Sequence, residues 1–276
     1  MNNQSVWDGM HLDPGTCQGS REEGFVRVSQ AAAGGGRSFD AVVPRTILVL
    51  APHADDEVIS CGGTILKYAQ WKCEVAVIVV TSGAGSGPSG EAPESIVERR
   101  RKEFETARRA LRLSDRSEFL GLEELQVNRG NVRRFTDIIR RIQPDIVLFP
   151  HPSDSHRAHR NTALLTMEAL YHAPTEAYPS RDQAWLPLGA YFYETPSGVF
   201  GQGVQAETLV ISDITEQFET KKKILDEIYA SQTQLLSAFE GWVEALARHR
   251  GEAGRCRFGE AFCPNMTHVP LKLLLI

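Results

Sequence analysis

Three short runs of this chain are apolar almost from end to end: TILVLA at 46–51, VAVIVV at 75–80 and DIVLF at 145–149. A strand with one face in water alternates apolar and polar residues. A run without alternation has both faces covered, which is how strands of a parallel sheet read when helices lie above and below it. The segments between these runs carry apolar residues at helical spacing. They are 57–71, 95–113 (Ile96, Phe104, Ala107 and Leu111 on one side, many arginines on the other) and 131–142. Strand and helix in alternation predict an α/β fold, a doubly wound and mostly parallel sheet with helices on both faces. The pattern continues with a helix over 157–172, strands at 190–194 and 208–212, and helices over 216–229 and 235–249. No repeat or linker divides this stretch, so 45–276 reads as one domain. Residues 1–44 are rich in Gly, Ser, Asn, Gln and Ala, include Gly34-Gly35-Gly36 and show little periodicity. They are expected to form a loosely packed extension, with a cover over the mouth of the site as the alternative.

Charge and cysteine usage narrow the function. Lys plus Arg total 30 against 35 for Asp plus Glu, a net charge of −5, which argues against a nucleic-acid partner. No run approaches the ~18 apolar residues of a membrane span, and no basic, then apolar, leader opens the chain. The five cysteines (17, 61, 73, 256, 263) are odd in number and form no C-x-x-C pair. They read as reduced thiols of a cytoplasmic protein. Oligomeric state leaves no readable mark.

In open α/β sheets, ligands bind beyond the carboxyl ends of the strands. The run 46–51 is followed at once by Pro52-His53-Ala54-Asp55-Asp56-Glu57. A single Asp there would be an ordinary helix cap; a His with two adjacent Asp is more than a cap needs. Imidazole nitrogen and carboxylate oxygen suit a zinc-like ion. Adjacent Asp side chains point in different directions, so one can bind metal while the other takes a proton from water. The run 145–149 is followed by Pro150-His151-Pro152-Ser153-Asp154-Ser155-His156-Arg157-Ala158-His159, which holds three of the chain's eight histidines. His156 and His159, three apart where a helix begins, bring both rings to one edge. Together the motifs supply two His and one Asp for a metal, with one Asp and one His to spare. That is the ligand count of a catalytic zinc site with one position open, although Fe²⁺ or Co²⁺ also suits such donors.

Rival readings fare worse. Residues 85–90 (GSGPSG) match G-x-G-x-x-G, but Pro88 and Pro93 interrupt the run and the helix is expected only near Ser95. A dinucleotide fingerprint leads its glycines straight into the helix, so this is read as a loop at a strand end. No G-x-S-x-G serine elbow is present. A non-catalytic metal- or sugar-binding module would need the ligands but not the second Asp.

The two motifs, and the chain from about 46 to 263, resemble the PIG-L/LmbE-type family of zinc-dependent N-acetylglucosaminyl deacetylases. Residues 52–57 resemble its (A/P)-H-P-D-D-E signature, and His156-Arg157-Ala158-His159 its H-P-D-H. Cys61-Gly62-Gly63-Thr64, Arg100 to Glu103, Asp213-Ile214-Thr215 with Lys221–Lys223 and Ser231-Gln232, and Gly259-Glu260-Ala261-Phe262 follow in the family's order. The resemblance implies a Rossmann-like (LmbE-like) fold, with Zn²⁺ on His53, Asp56 and His159 and with Asp55 as general base. It implies that His156 stabilises the oxyanion or protonates the leaving amine, and that Arg100 and Asp154 lie on the substrate side. The implied reaction removes an N-acetyl group from a small-molecule amino sugar and releases acetate. This chain departs from the pattern at Ala54, at Arg157-Ala158, and at Glu123 and Glu124, which stand where the family often has an Asp; His151 is a rival ligand. The extension and the Arg157-Ala158 departure suggest a specialised branch in antibiotic biosynthesis, acting on an N-acetylated aminoglycoside such as 2'-N-acetylparomamine. GlcNAc-inositol, GlcNAc-malate (with Arg157 or Arg160 facing the carboxylates) and a glycopeptide pseudoaglycone are the alternatives.

Overall fold

The structure is a computed structural model that describes residues 44–198, 200, 209–232 and 240–265, and only the backbone at 21–22, 25–30, 39–43 and 240. Seven strands form the main sheet: β1 (Thr46–Ala51), β2 (Glu74–Thr81), β3 (Glu118–Leu122), β4 (Ile146–Pro150), β5 (Gly189–Tyr193), β6 (Val210–Asp213) and β7 (Gly259–Pro264). The helices are α1 (Asp56–Gln70), α2 (Pro93–Ala110), α3 (Arg129–Ile142), α4 (Arg157–His172), α5 (Phe218–Ile228) and α6 (Glu240–Gly254). The spatial order is β3-β2-β1-β4-β5-β7-β6. The first five strands are parallel, and β7 runs antiparallel between β5 and β6. The doubly wound α/β fold is therefore present, with a mixed far edge.

The continuous apolar runs have the expected cause. Alternate residues of β1 serve two cores: Ile47, Val49 and Ala51 pack with Val58 and Ile65 of α1 and Phe104 of α2. Leu48 and Leu50 pack on the other face with Phe135 and Ile139 of α3 and Leu165 of α4. No side of β1 meets water, so no polar residue follows its opening Thr46. Strand order reverses between β1 and β4, which pair in parallel with Ile47 opposite Ile146. That is the topological switch point, where the carboxyl ends diverge and leave a crevice.

Several boundaries differ from expectation. Helix α2 opens at Pro93 rather than near Ser95, because proline suits a first helical turn, where amides have no helical partner. Helix α6 occupies 240–254, whereas 235–249 was expected; residues 233–239 and 208 lie outside the described residues. Strands β3 and β7 were not expected at all. Of the extension, the backbones of 21–22, 25–30 and 39–43 pair as a separate three-stranded antiparallel sheet. The expected loose packing of 1–44 lies outside the described residues.

Helix α1 carries two glycines in its middle, and the packing explains them. A Cβ on Gly63 would stand 2.6 Å from Cβ of Ile214, and one on Gly62 would stand 3.2 Å from Cγ of Lys221. Lys221 Nζ donates to the Ile59 carbonyl at 2.8 Å and to Glu260 at 2.7 Å. Glu260 in turn accepts the Gly63 and Thr64 amides at 2.9 and 2.8 Å. All three side chains are buried. The block 61–64, Lys221 and Glu260 thus form one joint that docks α1 on α5 and β7. Among the described residues, no helix is long and apolar enough to cross a membrane, and Cys61, Cys73 and Cys256 are free thiols.

Candidate active site

Both motifs lie at the switch point, one beyond β1 and one beyond β4. Three donor atoms converge there. His53 Nδ1 is 3.1 Å from Asp56 Oδ2, His159 Nε2 is 3.2 Å from His53 Nδ1, and His159 Nε2 is 3.3 Å from Asp56 Oδ2. An ion bound tetrahedrally at about 2.0–2.1 Å sets its ligand atoms about 3.3 Å apart. Two nitrogens and one oxygen therefore already stand at ligand spacing, and the donor set fits a divalent ion. Asp56 is held for charge: burial pushes its carboxyl up, but the charge and hydrogen bonds of His159 and the bonds of His53 outweigh this and hold it well below its ordinary value. Burial works against charge on His159 too, yet Asp56 and Asp154 lift it to about 10.

Asp154 is not at the mouth. It is 1% exposed, and its Oδ2 lies 2.8 Å from His159 Nδ1, on the side of the ring away from the donor triangle. Its carboxylate also accepts Thr195 Oγ1, Ser197 Oγ at 2.7 Å and the His156 amide at 2.7 Å. Against burial, these bonds and His159 bring it down to about 2. The carboxylate orients the His159 ring and frees Nε2 for the site, as a carboxylate behind a metal-binding histidine does. The loop after β5 closes on it at Gly198, where a Cβ would stand 2.6 Å from Asp154 Oδ2.

His156 is exposed at the start of α4, its ring centroid 4.8 Å from that of His53 and 4.6 Å from that of His159. The three imidazoles bring donor atoms within 4.8 Å of one another, a looser set than the triangle with Asp56. Burial and the neighbouring His159 and His53 lower its pKa. His151 does not join them. Its ring packs edge-on to Phe192 and Phe200, and its Nδ1 accepts the Ser153 amide at 3.1 Å.

Asp55 precedes α1 with φ +134° and ψ −31°, a conformation that a residue with a Cβ rarely adopts. Burial, then the adjacent Asp56 and Glu57, push its carboxyl well above the ordinary value, while Arg100 pulls it down. Its amide donates to Glu57 Oε2 at 3.0 Å. Glu57 is fully buried and lifted by that burial to about 7. The preceding Pro52 carbonyl accepts both the amide and the hydroxyl of Thr81, at 2.9 and 2.7 Å.

Arg100 is 2% exposed. Its Nη1 donates to Glu103 at 2.9 Å and Ser231 at 2.8 Å, and its Nη2 to the Ser86 carbonyl at 3.3 Å. It therefore secures the loop 85–90 beside Asp55 and is enclosed rather than open to solvent. Glu123 and Glu124 follow β3 and are exposed. The glycine run 85–90 ends before α2 opens at Pro93 and does not lead into the helix. Sequence reasoning assigned no role to Thr195, Ser197, Tyr229 or Gln232. They hold the site from far along the chain, and no spacing rule links them to it.

Comparison with known proteins agrees with this geometry. A family model described as PIG-L, GlcNAc-PI de-N-acetylase, matches residues 48–170. Diacetylchitobiose deacetylase of Thermococcus kodakarensis is 29% identical, over 80% of this chain and 84% of that protein. The inhibitor complex of N,N'-diacetylchitobiose deacetylase from Pyrococcus horikoshii superposes with TM-score 0.70 at 25% identity, covering 80% of this chain and 84% of that one. The 4-carboxy-2-hydroxymuconate hydratase GalB of Pseudomonas putida shares the fold, with TM-score 0.65 at 18% identity over 83% of this chain and 100% of that one. The fold alone therefore does not name the reaction; the motifs and the closer relatives carry that weight. Residues 48–170 thus match the PIG-L model, and the chain is similar over about four fifths of its length to proteins named as N-acetyl sugar deacetylases.

Proposed function

We propose that this protein is a divalent-metal-dependent amidohydrolase that removes the N-acetyl group from a small-molecule amino sugar, giving a free amine and acetate. The observation that carries the reading is the triangle of His53 Nδ1, Asp56 Oδ2 and His159 Nε2, with a strained Asp55 beside it. Those three atoms would hold the ion, with Zn²⁺ expected and Fe²⁺ or Co²⁺ compatible. When bound, the ion supplies Lewis acidity, which makes water more acidic and the amide carbonyl more electrophilic. Asp55 takes the proton from the attacking water. His156, at the rim, donates to the acetamide oxygen as negative charge develops on it, or protonates the departing amine. Asp154 keeps the His159 ring in register. Arg100 shapes the substrate-side wall by securing the loop at Ser86. A catalytic domain over 45–276 with an N-terminal extension completes the reading.

For the acyl carrier, an N-acetylated aminoglycoside in antibiotic biosynthesis stays first, for the departures at Arg157-Ala158 and the extension. GlcNAc-inositol, GlcNAc-malate, a glycopeptide pseudoaglycone and diacetylchitobiose are the competitors. The test is acetate release from N-acetylparomamine, GlcNAc-inositol, GlcNAc-malate, diacetylchitobiose and a GlcNAc-bearing glycopeptide, each with and without chelator. Acetate from one of them, lost with chelator and restored by metal, supports the reading and names the substrate. Metal-loaded protein that releases none from the whole panel sinks it in favour of a binding module or a different reaction.

A further inference from the structure

The strained conformation of Asp55 needs something to hold it. Rotation about its N–Cα bond, which defines φ, is set by the plane of the peptide group joining Ala54 to Asp55. That one peptide group is gripped at both ends. Its carbonyl, on Ala54, accepts Gln232 Nε2 at 2.7 Å. Its N–H, on Asp55, donates to Glu57 Oε2 at 3.0 Å. The other oxygen of Glu57 accepts the Tyr229 hydroxyl. Tyr229 and Glu57 are fully buried and Gln232 is 5% exposed, so water does not compete for these groups. Tyr229 caps α5, and Gln232 sits in the single 3₁₀ turn that follows, Ala230–Gln232. Between them Ser231 accepts Arg100 Nη1 at 2.8 Å and donates to Glu103.

We infer that residues 229–232 act as a clamp on the Ala54–Asp55 peptide group, and that Tyr229 and Gln232 are positioning residues for Asp55. The inference rests on the reading of Asp55 as the base. Without the clamp, the peptide plane rotates and φ returns to the negative region, which carries the Asp55 carboxylate away from the attacking water. Local strain at a functional site persists only where the surroundings over-determine it, and here two bonds from one distant turn do so. None of the hydrogen bonds of Tyr229 or Gln232 reaches His53, Asp56 or His159. Loosening the clamp therefore disables the base and spares the metal triangle.

The experiment uses the full chain as Tyr229→Phe, Gln232→Met and the double variant. Phe keeps the buried ring, and Met keeps the length without a donor. Four quantities are read: kcat and KM on whichever panel substrate releases acetate, metal per chain, and hydrogen exchange of the peptide spanning 52–57. The expected result is a kcat about 10- to 100-fold lower in each single variant, the range seen when a supporting partner is lost. KM and metal content stay unchanged, and exchange at 52–57 speeds up about 10-fold or more. Unchanged kcat with unchanged exchange overturns the clamp, as does a kcat loss that follows metal loss. Should wild-type protein release no acetate from any substrate, the proposed reaction fails. The exchange measurement then still decides the clamp: faster exchange at 52–57 sustains it, and unchanged exchange refutes it.

Discussion

Replacing Asp55 by glycine should destroy the activity and stabilise the fold. At φ +134° a Cβ is crowded, whereas glycine reaches this region as easily as its mirror image. Backbone strain of this kind costs about 1–3 kcal/mol, and glycine gives back about 0.5–1 kcal/mol through its freer unfolded chain. The carboxylate brings little of its own to offset this: among the described residues no hydrogen bond to it is found, and it lies against Asp56 and Glu57, which oppose its charge. The net expectation is a gain of about 1–2 kcal/mol in metal-free protein, a rise in Tm of roughly 2–8 °C for a chain of this size. Thermal unfolding in chelator is the assay, with Asp55→Ala as the control. Alanine relieves the charge but keeps the Cβ, so the difference between the two variants isolates the backbone. If Asp55→Ala is as stable as Asp55→Gly or more so, the strain argument is wrong.

Asp55→Asn should lower turnover by about 10²- to 10⁴-fold while metal analysis still finds one ion per chain; an active variant would remove Asp55 from the base role. Asp154→Ala should weaken metal affinity about 10- to 100-fold, measured by chelator competition, because His159 loses the carboxylate that orients it. Gly63→Ala should cost about 1–3 kcal/mol in chemical denaturation, since its Cβ falls 2.6 Å from Ile214. Lys221→Met should cost more, about 3–5 kcal/mol, because it leaves Glu260 buried without its cation.

The parts of the fold that could be read from sequence are those where one physical demand acts on consecutive residues. β1, β2 and β4 are sealed on both faces, so their apolar runs announce them. β3 escaped because it is an edge strand, only partly buried, with a turn-prone Gly121 at φ +63° in its midst. β7 escaped because Glu260 interrupts its apolar character for a reason that lies elsewhere, the Lys221 and α1 joint. The site divides in the same way. His53, Asp56 and His159 stand out because they follow two strand ends, and strand order makes those ends neighbours. Asp154 was read as substrate-side because its true partners, Thr195 and Ser197, arrive 41 and 43 residues later on a loop with no signature. Tyr229 and Gln232 meet the first motif from 172 and 178 residues away.

That distance has a consequence for how the protein comes into being. The segment 48–170 that matches the family model contains every proposed metal ligand and the proposed base. It holds Asp154 and Glu57 but lacks the residues that brace them and α1 from beyond: Thr195, Ser197, Tyr229, Gln232 and Glu260. During synthesis both histidine motifs leave the ribosome long before the turn that grips the first and the strand that docks α1. Pairing so remote in sequence is slow to form, and a nascent chain stopped after α4 should carry the residues of the site without its shape. β7, the last strand among the described residues, is then also the one that docks the helix opened by the earliest motif.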